Sequence, residues 1–136
     1  MFLLTQQDVQ ALISHAQTVA KAAYAPYSHF SVGAALLAED GRIFTGCNVE
    51  NASYGATICA ERCAVAKAVS EGIRRFTAIA ICTADGTPAP PCGICRQVLF
   101  EFMPEGKVIL WSEEKGTEIF SLSALLPLGF RLENER

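Results

Sequence analysis

Apolar side chains recur at helical spacing in the first part of the chain. Between Asp8 and Ala23 they fall on one face of a helix. Thr5 followed by Asp8 resembles a capping box, with Asp in place of the usual Glu or Gln, and Pro26 is a stop signal. We therefore predict a first helix over Asp8–Ala23. The residues on its apolar face are Val9, Leu12, Ile13, Ala16, Val19, Ala20 and Ala23.

The pattern then changes from helical to extended. Phe30–Ala38 is apolar at almost every position, which is typical of a strand buried on both faces. Residues 39–42 carry a hairpin turn signal, and Ile43–Cys47 is the returning strand. A loop follows from Asn48 to Thr57.

Helices and strands alternate along the rest of the chain. The predicted order is α-β-β-α-β-α-β-β with a short helical piece at the end, which indicates an α/β fold with a mixed sheet covered by helices. Helix starts and loops then gather at one edge of the sheet, where ligands tend to bind. The remaining predicted elements are a helix over Cys59–Glu71, a strand over Phe76–Cys82, a helix over Cys92–Met103, strands over Lys107–Trp111 and Glu118–Leu122, and a helical piece over Ser123–Leu126.

Composition sets limits on the class of protein. The 136 residues are 51% hydrophobic and 18% charged, which predicts one globular domain over residues 1–136. The formal net charge of −3 disfavours a nucleic-acid partner, which usually meets a basic patch. The N-terminus has no basic segment followed by a long apolar one, and no run approaches about 18 apolar residues. We therefore expect a cytoplasmic protein that does not interact with membranes.

The cysteines carry the candidate chemistry. Cys92 and Cys95 lie three residues apart at a predicted helix start, a spacing shared by metal sites and thioredoxin-like redox motifs. Cys59 also lies at a predicted helix start, two residues before Glu61. Three thiolates leave the fourth position of a tetrahedral zinc open for water, as in catalytic zinc sites, whereas structural sites normally close with a fourth ligand. The pattern favours a catalytic zinc held by these three thiols, with Glu61 beside the water.

Such a site has an excess of negative charge, because three thiolates outweigh Zn²⁺ by one. Two features oppose it: both ligand segments open helices, whose positive dipole ends face the sulfurs, and Arg62 and Arg96 each directly follow a site residue. We favour Arg62 as the hydrogen-bond donor to a thiolate, because it shares a turn with Glu61.

Four motifs, in the same order, resemble those of the homotetrameric, zinc-dependent cytidine deaminases that act on free nucleosides, in the cytidine/deoxycytidylate deaminase family. The resemblance covers about residues 24–130. Its motifs are Ala25-Pro26-Tyr27-Ser28-His29-Phe30-Ser31-Val32-Gly33-Ala34-Ala35-Leu36, Gly46-Cys47-Asn48-Val49-Glu50-Asn51-Ala52, Cys59-Ala60-Glu61-Arg62 and Pro91-Cys92-Gly93-Ile94-Cys95-Arg96-Gln97-Val98, with Leu125-Leu126-Pro127 near the end.

The resemblance implies a three-layer sandwich with a five-stranded mixed sheet, and one zinc per subunit. It implies hydrolysis of cytidine and 2′-deoxycytidine to uridine and 2′-deoxyuridine with release of ammonia, as in pyrimidine salvage. A water activated by the zinc attacks C4, while Glu61 protonates N3 and carries a proton to the leaving amine. The implied substrate contacts are Phe30 against the pyrimidine ring, Asn48 and Glu50 on the ribose hydroxyls with Val49 between them, the Ala60 N–H on the base carbonyl, and Tyr54 and Phe130 completing a neighbouring subunit's site in a homotetramer.

Other interpretations remain open at this stage. The thiols could form a structural zinc site in an interaction module, Phe30 could pack in the core, and Asn48 and Glu50 could be turn residues. The chemistry could also serve a nucleic-acid editor or a nucleoside-antibiotic deaminase, although the acidic balance speaks against the editor. The remaining side chains of interest are expected to have no catalytic role, with packing as the default for the thiols: His15, His29, Cys47, Cys63 and Cys82.

Overall fold

A five-stranded mixed sheet forms the middle layer of the structure, a computed structural model that describes residues 3–132. The strand order is β2-β1-β3-β4-β5, and only the β3–β4 pair is parallel. The predicted α/β class and the five-stranded mixed sheet covered by helices are confirmed. The first two and last four residues of the predicted single domain lie outside the described residues. The elements are α1 (Gln6–Ala20), β1 (Val32–Ala38), β2 (Ile43–Cys47), a 3₁₀ turn (Tyr54–Ala56), α2 (Ala60–Ser70), β3 (Phe76–Thr83), α3 (Gly93–Phe102), β4 (Lys107–Ser112), β5 (Gly116–Ser121) and α4 (Leu122–Leu125).

Helices cover both faces of the sheet. Alternate residues of β1 point to opposite sides, so that Leu37 packs in the core beneath α1 and Leu36 packs in the core with α2 and α3. β1 and β3 are buried almost throughout, which explains why apolar residues dominate both strands. Among residues 3–132, no helix is both long and apolar enough to cross a membrane.

The first helix begins at Gln6, two residues before the predicted start, and ends earlier than predicted. The Thr5 hydroxyl accepts a hydrogen bond from the Asp8 N–H, and the Asp8 carboxylate accepts one from the Thr5 N–H, both at 3.0 Å. The capping box is therefore confirmed. The predicted end at Ala23 was three residues late, because the Tyr24 N–H bonds to the Asn48 carbonyl at 3.0 Å instead of continuing the helix.

The boundaries of the other elements match the prediction or differ from it by one or two residues. Phe30 was placed in β1 but precedes it, because the strand begins at Val32. The final hairpin strand begins at Gly116 rather than Glu118, since Gly116 takes a positive φ of 67° at the turn and already pairs with Ser112.

Two glycines allow helices to approach the sheet closely. A Cβ atom at Gly33 would lie 2.1 Å from the Ala16 carbonyl oxygen of α1. A Cβ atom at Gly46 would lie 2.6 Å from the Ala60 carbonyl oxygen and 2.5 Å from the Ala64 nitrogen, both in the α2 backbone. Gly46 therefore sets how closely the first turn of α2 approaches β2.

We expect Gly46→Ala to lower the free energy of unfolding by about 1–3 kcal/mol, because the added methyl group must displace the α2 backbone. Urea unfolding followed by circular dichroism measures the change. Gly55→Ala is the matched control, since a Cβ there would meet no atom within 4 Å. Equal midpoints for the two variants would contradict the close-approach explanation.

Candidate metal and active site

The three predicted thiols meet at the starts of α2 and α3. The sulfur atoms of Cys59, Cys92 and Cys95 all lie within 4.8 Å of one another, and Cys59 Sγ is 3.9 Å from Cys92 Sγ. Tetrahedral zinc with bonds of about 2.3 Å to sulfur places two sulfurs about 3.8 Å apart. The donor set and its spacing therefore fit a zinc ion.

Both helix starts orient these sulfurs. Cys59 is the N-cap residue of α2, and Cys92 is the N-cap residue of α3. Cys92 Sγ accepts a hydrogen bond from the Cys95 N–H at 3.4 Å. The positive ends of two helix dipoles therefore point at the cluster, as the sequence predicted.

Arg62 adds a full positive charge at the same place. Its Nη2 lies 3.6 Å from Cys59 Sγ and 3.4 Å from the Thr57 carbonyl oxygen. The pKa of the Cys59 thiol is lowered to about 5, first by the hydrogen bond from the Cys95 thiol and then by Arg62. The pKa of Cys95 is raised, because its proton is held in the bond to Cys59 and the thiol is buried. Arg62 therefore stabilises negative charge on the Cys59 sulfur.

Arg96, the arginine that follows Cys95, has a different role. Arg96 Nε donates to the Pro91 carbonyl at 2.8 Å, and Nη1 donates to the Leu125 carbonyl at 2.7 Å. Arg96 therefore joins the segment before Cys92 to the end of α4. The choice of Arg62 as the donor to a thiolate agrees with this geometry.

Glu61 lies in the first turn of α2 with only 5% of its surface exposed. Burial, and to a lesser extent the negative charge on Cys59, raises the pKa of its carboxyl to about 7. A carboxyl group whose pKa lies near neutrality can both accept and release a proton. The helix start also leaves the Ala60 N–H without an intrahelical partner.

The residues predicted to contact the base and the ribose lie in or beside a loop over residues 25–31. Phe30 is 39% exposed, so core packing does not account for it. The Asn48 amide donates to the Phe30 carbonyl and accepts from the Val32 N–H, both at 2.8 Å. Val49 pairs its backbone with Ile58, at 2.9 and 3.0 Å, and its side chain is 40% exposed. Asn48 and Val49 are therefore more than turn residues, because they hold the two flanking segments together.

Glu50 is held by the same loop. Its carboxylate accepts hydrogen bonds from the Tyr27 N–H at 3.0 Å, the Ser28 N–H at 3.1 Å and the Ser28 hydroxyl. The Ser28 hydroxyl bond and the two N–H bonds lower the pKa of Glu50, so the side chain is anionic at neutral pH.

Tyr54 and Phe130 lie at the surface. Tyr54 is 76% exposed and meets the Tyr27 ring edge-on, with 6.2 Å between centroids. Phe130 is 67% exposed, and its carbonyl accepts a hydrogen bond from Gln97 Nε2 at 2.7 Å. Both aromatic rings therefore present apolar area outward from this chain.

Sequence reasoning assigned no role to Ser28, Tyr27 or Thr57, although all three contact site residues. Ser28 lies 22 residues before Glu50, and no local spacing connects the two. The available signal was a polar Ser between Tyr27 and Phe30, just before the predicted strand, and this pattern by itself only suggests a turn.

The histidines and the remaining thiols lie outside the cluster. Cys82 is buried, its Sγ lies 3.7 Å from the Ile13 carbonyl, and burial raises its pKa to about 12. His29 takes a left-handed backbone conformation with φ of 58°. Within the described part of the chain, the metal-capable cluster contains Cys59, Cys92 and Cys95 and neither histidine.

Comparison with known proteins gives a consistent result. Residues 6–111 match the family model described as the cytidine and deoxycytidylate deaminase zinc-binding region. The chain is 47% identical to a cytidine deaminase of Sporosarcina psychrophila, over 93% of this chain and 94% of that one. It is 48% identical to a cytidine deaminase of Halalkalibacterium halodurans, over 93% and 97%.

A solved structure shares the fold. The crystal structure of cytidine deaminase from Burkholderia pseudomallei is similar with a TM-score of 0.83 and 47% identity, covering 89% of this chain and 98% of that one.

We expect Cys95→Ser to remove bound zinc, because a neutral hydroxyl replaces one of three thiolates in the cluster. Metal analysis of the dialysed protein should give about one zinc per wild-type chain and far less for the variant. Cys63→Ser is the control, since Cys63 is a half-buried thiol of the same helix as Cys59 and lies outside the cluster. Zinc retained by Cys95→Ser, or lost by Cys63→Ser, would refute this ligand set.

Proposed function

We propose that this chain, which belongs to the cytidine and deoxycytidylate deaminase family, hydrolyses cytidine and 2′-deoxycytidine to uridine and 2′-deoxyuridine with release of ammonia. Membership makes it an enzyme of the hydrolase class that deaminates cytidine. The observation that carries the finer proposal is the buried Glu61 carboxyl in the helical turn that follows Cys59, beside three clustered thiols.

Cys59, Cys92 and Cys95 would hold one zinc ion. When bound, zinc lowers the pKa of a water molecule in its open position, so that a nucleophile is available at neutral pH. The chain's own contribution is to balance the charge of three thiolates, through two helix starts and the Arg62 contact with Cys59.

Glu61 moves the protons. Its carboxylate takes a proton from the attacking water and gives it to N3 of the pyrimidine as the oxygen bonds to C4. A second proton then passes from the new hydroxyl group to the amine, the C4–N4 bond breaks, and ammonia leaves. A pKa of about 7 suits a group that must accept and donate within one cycle.

The remaining residues orient the nucleoside. The Ala60 N–H at the start of α2 donates to the base carbonyl, and the exposed Phe30 ring packs against the pyrimidine. Asn48 and Glu50 contact the ribose hydroxyls, with Val49 between them. The anionic Glu50 disfavours a phosphate group placed nearby, which supports a free nucleoside over a nucleotide or a polymer.

Assembly is a further part of the proposal. We propose a homotetramer in which Tyr54 and Phe130 complete a neighbouring subunit's site, because several large apolar side chains are exposed around the loop and helix starts. These are Tyr24, Tyr27, Tyr54, Ile58, Ile94 and Phe130. The homotetramer, the role in pyrimidine salvage, the cytoplasmic location and the single domain over residues 1–136 stay predictions.

We expect Glu61→Gln to lower kcat for cytidine by roughly 10²- to 10⁴-fold, because the amide cannot move protons, while zinc content stays unchanged. Loss of cytidine absorbance measures the rate. Glu71→Gln, at the exposed end of the same helix, should keep wild-type activity. Equal turnover by Glu61→Gln and wild type would rule out Glu61 as the proton shuttle. If both proteins retain zinc and neither turns over cytidine, the alternative of an interaction module with a structural zinc site would be favoured.

We expect the wild-type enzyme to deaminate cytidine and 2′-deoxycytidine with kcat/KM at least tenfold above cytosine, CMP or single-stranded DNA. Cytosine lacks the sugar that Asn48 and Glu50 would hold, and the other two bring phosphate near an anionic carboxylate. Initial rates across the five substrates decide the point. A preference for CMP or DNA would overturn the nucleoside assignment.

A further inference from the structure

A single hydroxyl group connects the two halves of the proposed nucleoside site. The Ser28 hydroxyl donates to Glu50 Oε2 and accepts from the Phe30 N–H at 3.0 Å. Glu50 is proposed to hold the sugar and Phe30 the ring. Ser28 therefore touches both groups through one oxygen atom, although its own side chain has no place in the deamination chemistry.

We propose that Ser28 is a positioning residue, which fixes the Glu50 carboxylate and the Phe30 backbone in one arrangement so that sugar and base are bound together. This inference rests on the proposed function, because it gives Glu50 and Phe30 their substrate roles.

The Glu50 carboxylate has one acceptor position left for a sugar hydroxyl. A carboxylate offers about four lone-pair sites, two on each oxygen. On Oε1 both are taken, by the Tyr27 and Ser28 N–H groups. On Oε2 the Ser28 hydroxyl takes one, which leaves one for a sugar hydroxyl. Ser28 therefore helps to set the direction of the oxygen that remains available.

Phe30 is restrained at both its backbone N–H and its backbone carbonyl. Its N–H is held by the Ser28 hydroxyl and its carbonyl by the Asn48 amide, at 3.0 and 2.8 Å. The preceding residue, His29, has φ of 58°. A non-glycine residue in that region is strained and persists where its surroundings hold it. The Ser28 hydroxyl is one of those restraints, and the His29 N–H bond to the Ala25 carbonyl is another.

Two separate segments of the chain carry these residues. Asn48 and Glu50 lie on one segment, whereas Ser28 and Phe30 lie on another, and Tyr24 joins the two through 3.0 and 2.9 Å backbone bonds to Asn48 and Glu50. The backbone bonds fix the distance between the segments. The Ser28 hydroxyl fixes the side-chain geometry within that frame, so its loss should affect binding more than folding.

Ser28→Ala tests the proposal. We expect a roughly tenfold rise in KM for cytidine and in Ki for uridine, the product, with kcat within about twofold of wild type, because the contact acts equally in ground and transition states. Ser28→Thr, which keeps the hydroxyl, should restore KM to within about twofold. Ser70→Ala removes an exposed hydroxyl bonded to the Lys67 carbonyl and should change neither constant.

A double-mutant cycle with Glu50→Gln then separates positioning from general damage. If Ser28 acts through Glu50, Ser28→Ala should add less than about threefold to KM in the Glu50→Gln background. Full additivity would overturn the proposal. So would an unchanged KM and Ki in folded Ser28→Ala, or a loss confined to kcat and accompanied by a lower urea midpoint.

The proposed deamination is tested separately from the positioning role of Ser28. A wild-type chain that binds uridine by calorimetry without deaminating cytidine would contradict the function, while the change in uridine affinity of Ser28→Ala would still decide the positioning role. A wild-type chain that neither binds uridine nor deaminates cytidine would overturn both.

Discussion

Repulsion among three sulfurs is the constraint on which the arrangement of the site depends. Sulfur atoms gathered within 4.8 Å repel one another when deprotonated, and the surrounding structure must offset that cost. It does so with backbone dipoles and one guanidinium group. Two helices begin at sulfur-bearing residues, and Arg62 extends from the first of them to Cys59. The same helix start positions Glu61 and the Ala60 N–H, so the charge balance and the proposed catalytic geometry have one structural origin.

The sheet supports this arrangement from below. α2 can bring its first turn close to the edge strand only because Gly46 has no side chain where the Ala60 carbonyl passes. Glu61 lies in that first turn and is buried, and burial raises the pKa of its carboxyl to about 7. The position of one glycine and the proton affinity of one carboxyl group are thus connected through backbone packing.

The sequence predicted those features that are local in the chain. The apolar period of α1, the turn after β1 and the capping box at Thr5 each involve residues within a few positions of one another, and all three are present. The cluster of thiols was also predictable, because metal ligands have chemically restrictive spacing and identity. The early end of α1 was not, since it depends on a bond from Tyr24 to Asn48. The hydrogen bonds around Ser28 were not predicted for the same reason. Its partner Glu50 lies 22 residues away, and neither a serine nor a glutamate specifies the other as its partner. Which residues bind substrate remains a prediction, since roles cannot be read from proximity alone.

The distance along the chain between the clustered thiols has a consequence for folding. Cys59 and Cys92 are 33 residues apart, and the whole of β3, the central strand, lies between them. A metal ion held by the two thiols would close that stretch into a loop, as a cross-link would. By the chain-entropy relation used for disulfides, closing a loop of this length disfavours the unfolded ensemble by about 4 kcal/mol. The thiols proposed as zinc ligands would therefore also stabilise the middle of the domain.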